Sequence, residues 1–160
     1  MKRRDIVIGL IVLVLLSGVI YFRQKSQKET PKVPEVQSTE KTLEEKFNIQ
    51  IPEDVDKAEL KDVSGGNSSG IATRDYKDSN FASSVIADLP EAGTGEFYQA
   101  WLVKNDGSTN VLLGNLRSTK GGWTVDYKSK TDYSDYGSAV VSLEKKSDKT
   151  LEKKILEGSF

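Results

Sequence analysis

Gly122-Trp123-Thr124-Val125-Asp126-Tyr127-Lys128 is the clearest periodic stretch of this chain. Trp123, Val125 and Tyr127 fall on one side of an extended backbone and Thr124, Asp126 and Lys128 on the other, the period of a half-buried β-strand. Upstream, Glu96–Lys104 (EFYQAWLVK) is apolar at both parities, as a central strand covered on both faces would be. Between them Asn105-Asp106-Gly107-Ser108 carries an Asp-Gly hairpin signal and leads into Val111–Arg117.

The same grammar extends in both directions. Lys57–Val63 reads as a short strand ended by the flexible Ser64–Gly70 loop. Ile71–Tyr76 and Phe81–Leu89 follow, split by Asp78-Ser79-Asn80 and stopped by Pro90 and the Gly-containing run to Gly95. Ala139, Val141 and Leu143 repeat the alternation, and Lys153–Gly158 supplies a last strand around Ile155 and Leu156. Seven or eight short strands, with turns between them and no helix of ten residues or more among them, predict an all-β antiparallel β-sandwich over residues 47–160.

The first 46 residues are of another kind. Ile6 to Phe22 (IVIGLIVLVLLSGVIYF) holds seventeen uncharged residues, thirteen of them Ile, Leu, Val or Phe. At about 1.5 Å per residue this run nearly spans a hydrocarbon core, with Arg4 and Arg23 placed to reach outward at its ends. No A-x-A-like cleavage site and no lipidation cysteine follow, so an uncleaved transmembrane helix in contact with the lipid bilayer is expected. The basic start favours a cytoplasmic tail at residues 1–5 and a domain outside the plasma membrane.

Residues 23–46 are rich in Lys, Glu, Gln and Ser, with Pro31 and Pro34, and read as a flexible polar linker. Within it Thr42-x-x-Glu45 is either a capping box opening a short helix through Phe47 or one more polar turn.

Composition excludes several chemistries. The chain of 160 residues has neither Cys nor His, which removes disulfides, zinc sites and every His-based triad. A net charge of −1 with no basic cluster argues against nucleic acid, despite two Trp and six Tyr. Asp126, Asp132 and Asp135 lack the register of a calcium loop, so no metal or cofactor is expected. No nucleophile–base pattern stands out, and a non-catalytic module that binds a protein or an envelope component is the expectation.

Tyr98, Phe97 and Trp101 read as packing aromatics, and the Gln99 amide between them needs partners if buried. Asn67-Ser68-Ser69 matches a glycosylation acceptor, a motif short enough to arise by chance.

Leu89-Pro90 followed by Tyr98-Gln99-Ala100-Trp101-Leu102-Val103 resembles the C-terminal domain of the anti-sigma-K factor RskA family. Gly122-Trp123, Val141-Ser142-Leu143-Glu144 and Ile155-Leu156-Glu157-Gly158 continue the resemblance in order, over roughly Asp75 to the C-terminus. The signature positions are thus Leu89, Pro90, Tyr98, Gln99, Trp101, Leu102, Gly122, Trp123, Val141, Leu143, Glu144 and Gly158, all expected to be structural. The resemblance implies an extracytoplasmic β-sandwich on a membrane helix, in a family that regulates sigma factors. Only Met1–Asp5 precede the apolar run, in place of a sigma-binding N-terminal domain. Any such regulation is therefore expected to run through a separate cytoplasmic partner.

Overall fold

The computed structural model describes residues 38–160. The expected tail at residues 1–5, the membrane helix over Ile6–Phe22 and most of the polar linker lie outside the described residues. Among the described residues no helix is long and apolar enough to cross a membrane.

A short helix comes first, α1 (Thr39–Phe47). Its N-cap is Ser38, whose hydroxyl accepts from the Lys41 N–H, one turn ahead of the Thr42 position read from sequence. Glu40 in the first turn and Lys46 in the last complement the helix dipole. Asn48, in the left-handed region at φ 53°, ends the helix by donating its N–H to the Glu44 carbonyl.

Nine strands follow: β1 (Asp56–Asp62), β2 (Ser69–Lys77), β3 (Asn80–Asp88), β4 (Phe97–Val103), β5 (Asn110–Asn115), β6 (Arg117–Thr119), β7 (Gly122–Ser129), β8 (Ser138–Glu144) and β9 (Lys153–Ser159). All pairings are antiparallel, and the order across the sheet is β5-β4-β8-β9-β1-β2-β3-β7-β6. The all-β antiparallel expectation is met, but the strands form one continuous sheet of nine where two facing sheets of seven or eight strands were expected.

The difference arises at Leu116. Val111–Arg117 reads as one strand in sequence, yet the chain bends there. Asn110–Asn115 pairs with β4, and Arg117–Thr119 pairs with β7. Leu116 is buried and donates its N–H to the Tyr98 carbonyl at 2.8 Å. One segment therefore serves both ends of the sheet, which curls nearly into a barrel. A bulge opposite Ala100 and Trp101, with Gly114 at φ 141°, sharpens the turn and brings Gly114 against Val125.

Inward-facing residues of most strands form one core, including Leu60, Ala72, Phe81, Val85, Ala100, Leu102, Val125, Val141 and Leu156. One end is plugged by aromatic rings, Tyr133 lying 5.4 Å from Phe81 and 5.5 Å from Tyr136. Arg74 braces that end, with its Nε 3.2 Å from Asp56, an N–H donated to the Tyr136 carbonyl and the guanidinium 4.1 Å above the Phe160 ring. A second, smaller cluster lies outside the main core: Leu43 of α1 with Ile51 and Ile71, flanked by Phe47 and Ile86.

Candidate functional site

Two groups stand out among the signature residues. Leu89, Pro90, Tyr98, Gly122 and Trp123 meet at one rim of the barrel. The β3 strand ends at Asp88, and Leu89-Pro90 then crosses the rim before the Gly93–Glu96 turn, where the Glu96 N–H donates to the Gly93 carbonyl.

Two aromatic side chains pin that crossing. Trp123 at the start of β7 donates its indole N–H to the Leu89 carbonyl at 3.2 Å. Tyr98 at the start of β4 donates its hydroxyl to the Pro90 carbonyl, also at 3.2 Å. The two rings meet edge to face with centroids 5.1 Å apart. Burial raises the Tyr98 phenol above its ordinary range, and the nearby Glu96 and Glu91 carboxylates add to the effect, so it stays a donor at neutral pH.

Helix α1 completes the rim. Gly121 sits so close to the Lys46 carbonyl that a Cβ there would approach it to 2.8 Å. The Phe47 ring occupies the space a side chain at Gly122 would need. Lys46 and Asp88 pair at 2.5 Å, both about half exposed. Between them and the β6–β7 hairpin lies an open groove of about 290 Å³, lined by Lys46, Asp88, Glu91, Ser118, Thr119 and Gly121 among others. Its charges of both signs, hydroxyls and backbone groups can hold the polar groups of an extended polypeptide. None of these side chains is a nucleophile set beside a base.

The second group lies on the outer face of β4 and β8, opposite the core. Trp101 donates its indole N–H to the Ser142 hydroxyl at 2.8 Å, and Gln99 donates its amide to Asn115 at 2.9 Å. Glu144 takes the Glu152 N–H on its carboxylate at 3.1 Å and 3.2 Å. All four of Gln99, Trp101, Ser142 and Glu144 are buried, and the Gln99 Oε1 has no partner among the described residues. Leu102 and Val141 point the other way into the main core, with Leu143 packed partly against it. Gly158 lies against the Glu59 backbone.

The aspartates weighed as calcium ligands have separate duties. Asp132 caps the Ser134 turn, Asp135 pairs with Lys104, and Asp126 accepts from Ser84 and faces Arg117. Among the described residues no group of three or more acidic side chains is arranged to hold a metal ion.

Sequence reasoning missed Lys46, Asp88, Ser118 and Thr119. They form no motif, because α1, β3 and the β6–β7 hairpin become neighbours only through the sheet order. The paired glycines at 121 and 122 were the one local signal that a second backbone approaches there.

The family model described as anti-sigma-K factor rskA, C-terminal, matches residues 7–152. The match reaches much further toward the N-terminus than the motif resemblance from Asp75, taking in most of the uncharged run, and it stops short of Ile155–Gly158. No curated protein and no solved structure matches the chain.

Proposed function

From the premise that this chain belongs to the anti-sigma-K factor RskA C-terminal family, we propose that it is a membrane-anchored, extracytoplasmic interaction module of a sigma-factor regulatory circuit. The barrel binds a protein or an envelope component and does no chemistry on it. Residues 6–22 hold it in the plasma membrane, residues 1–5 lie in the cytoplasm, and the polar linker sets its reach.

The observation that carries this reading is the extent of the family match. It runs from residue 7, inside the uncharged stretch, to residue 152 in the barrel, which supports reading the apolar run, the polar stretch and the barrel together. Anchoring has a physical use, because a tethered domain meets a membrane-bound partner at a raised effective concentration. A cytoplasmic partner links the barrel to the sigma factor.

Two measurements test the proposal. Protease added outside intact cells should remove a C-terminal tag, and a protected tag would reverse the orientation. Deletion of the gene should change the transcripts of one sigma-factor regulon under envelope stress. Unaltered profiles, together with a tethered barrel that recovers no more envelope protein than an unrelated tethered domain, would overturn the reading.

A further inference from the structure

We infer that α1 is a latch that opens as its own unit, and that its opening dismantles the rim groove while the barrel stays folded.

Few contacts hold α1 in place. A helix of nine residues is too short to persist alone in water, so it depends on its contacts. Only Leu43 of the helix is fully buried, and it packs in the small cluster with Ile51 and Ile71, separate from the main core. Phe47 adds one partly buried apolar contact, against that cluster and Gly122, and the remaining ties are polar. Lys46 pairs with Asp88, Glu40 pairs with Lys57, and the Glu44 carboxylate accepts the Ile51 N–H at 2.7 Å. Both ion pairs are partly exposed, which leaves them weak. By contrast β3 is paired on both sides, with β2 and β7, and contributes Phe81, Val85 and Ala87 to the main core. Segments with few buried apolar contacts open at lower free energy than the strands of a core.

Opening has consequences at a distance from Leu43. Lys46 forms one wall of the rim groove, and its carbonyl lies on Gly121. Phe47 covers Gly122, whose neighbour Trp123 holds Leu89. Lifting α1 therefore removes the only lysine that lines the groove among the described residues, frees Asp88, and uncovers Gly121-Gly122 together with Ile71 and Ile86. No strand pairing has to break for this. In chain order α1 is the first described element, ahead of every strand of the barrel. The separate opening is a property of the fold and does not depend on the regulatory role proposed above.

Hydrogen exchange of the full-length chain, read by mass spectrometry, tests the inference. Amides of residues 41–51 should exchange about 100-fold faster than those of β3 and β8. Leu43→Ala should speed α1 exchange by a further factor of about 30 and raise exchange at residues 121–123 in step, with β8 unchanged. Ser38→Ala, which removes only the N-cap hydroxyl, should act in the same direction by about fivefold. Protection of α1 equal to that of β8, with Leu43→Ala accelerating every strand alike, would show one cooperative unit and end the proposal. Faster α1 exchange with residues 121–123 unmoved would refute the coupling to the groove.

Discussion

Trp123 and Leu89 are joined by a hydrogen bond from the indole N–H to the Leu89 carbonyl, 34 positions apart in sequence, and this bond fixes the path of the chain across the barrel rim. Tyr98 repeats the device on the next residue, Pro90. Replacing Trp123 by Phe, or Tyr98 by Phe, should each cost about 0.5–1.5 kcal/mol in urea unfolding. The double variant should cost less than the sum, because both bonds hold the same crossing and the two rings touch. Strict additivity would mean that the crossing is held by something else.

Ser142→Ala should be more damaging than its small change in volume suggests. It leaves the buried Trp101 indole N–H without its acceptor, a loss of about 1–3 kcal/mol. Adding Trp101→Phe removes the orphaned donor, so a double-mutant cycle should show a coupling of about 1 kcal/mol. A coupling near zero would mean that the bond contributes nothing.

Gly158 and Gly107 make a contrasting pair. A Cβ at Gly158 would run into the Glu59 backbone across the β9–β1 pairing, where nothing can move without breaking the sheet. Gly107, at φ 68° in the β4–β5 turn, has open space around it and pays only for its left-handed backbone. Gly158→Ala should therefore cost about 2–3 kcal/mol or prevent folding, while Gly107→Ala should cost about 1–2 kcal/mol. Thermal denaturation of the two variants side by side reads the difference, and equal losses would contradict the packing described at Gly158.

Asp62 ties down the loop that sequence marked only as flexible. Its desolvation works to raise the carboxyl, but the N–H of Gly66, the Ser64 hydroxyl and the N–H groups of Ser68 and Ser64 outweigh it and carry the group well below the usual carboxylate range. A carboxyl depressed on folding stabilises above its unfolded value of about 3.9 and loses that contribution as pH falls toward the folded value. The urea midpoint of the native protein should exceed that of Asp62→Asn by a constant margin between about pH 5 and 7, and the margin should shrink below about pH 4. A margin independent of pH would assign the loop's stability to its backbone alone.

Strand positions were legible because each strand carries its own evidence. Alternation at Trp123–Lys128 and the two-sided apolarity of Phe97–Val103 depend only on neighbours in sequence, and both became strands where expected. The Asp78-Ser79 turn was equally local, both residues taking the left-handed backbone a tight hairpin needs. Closure was not legible. The bend at Leu116 is decided by the Tyr98 carbonyl on another strand, and nothing in Val111–Arg117 announces it. The rim was half legible, since Leu89, Pro90, Tyr98 and Trp123 belong to recognisable motifs, whereas Lys46 and Asp88 are ordinary charged residues until the fold makes them partners.

The pairing of β1 with β9 sets a timetable for the molecule's birth. Lys61 and Asp62 find their partners in Glu157 and Leu156, so one edge of the earliest strand to be made must wait for the latest. If the barrel crosses a membrane as it is made, β1 pairs early with β2, but its β9-facing edge stays open on the far side until nearly all of the chain has arrived. During that interval the half-made sheet is a sticky edge, and escort by a holding chaperone would matter most then.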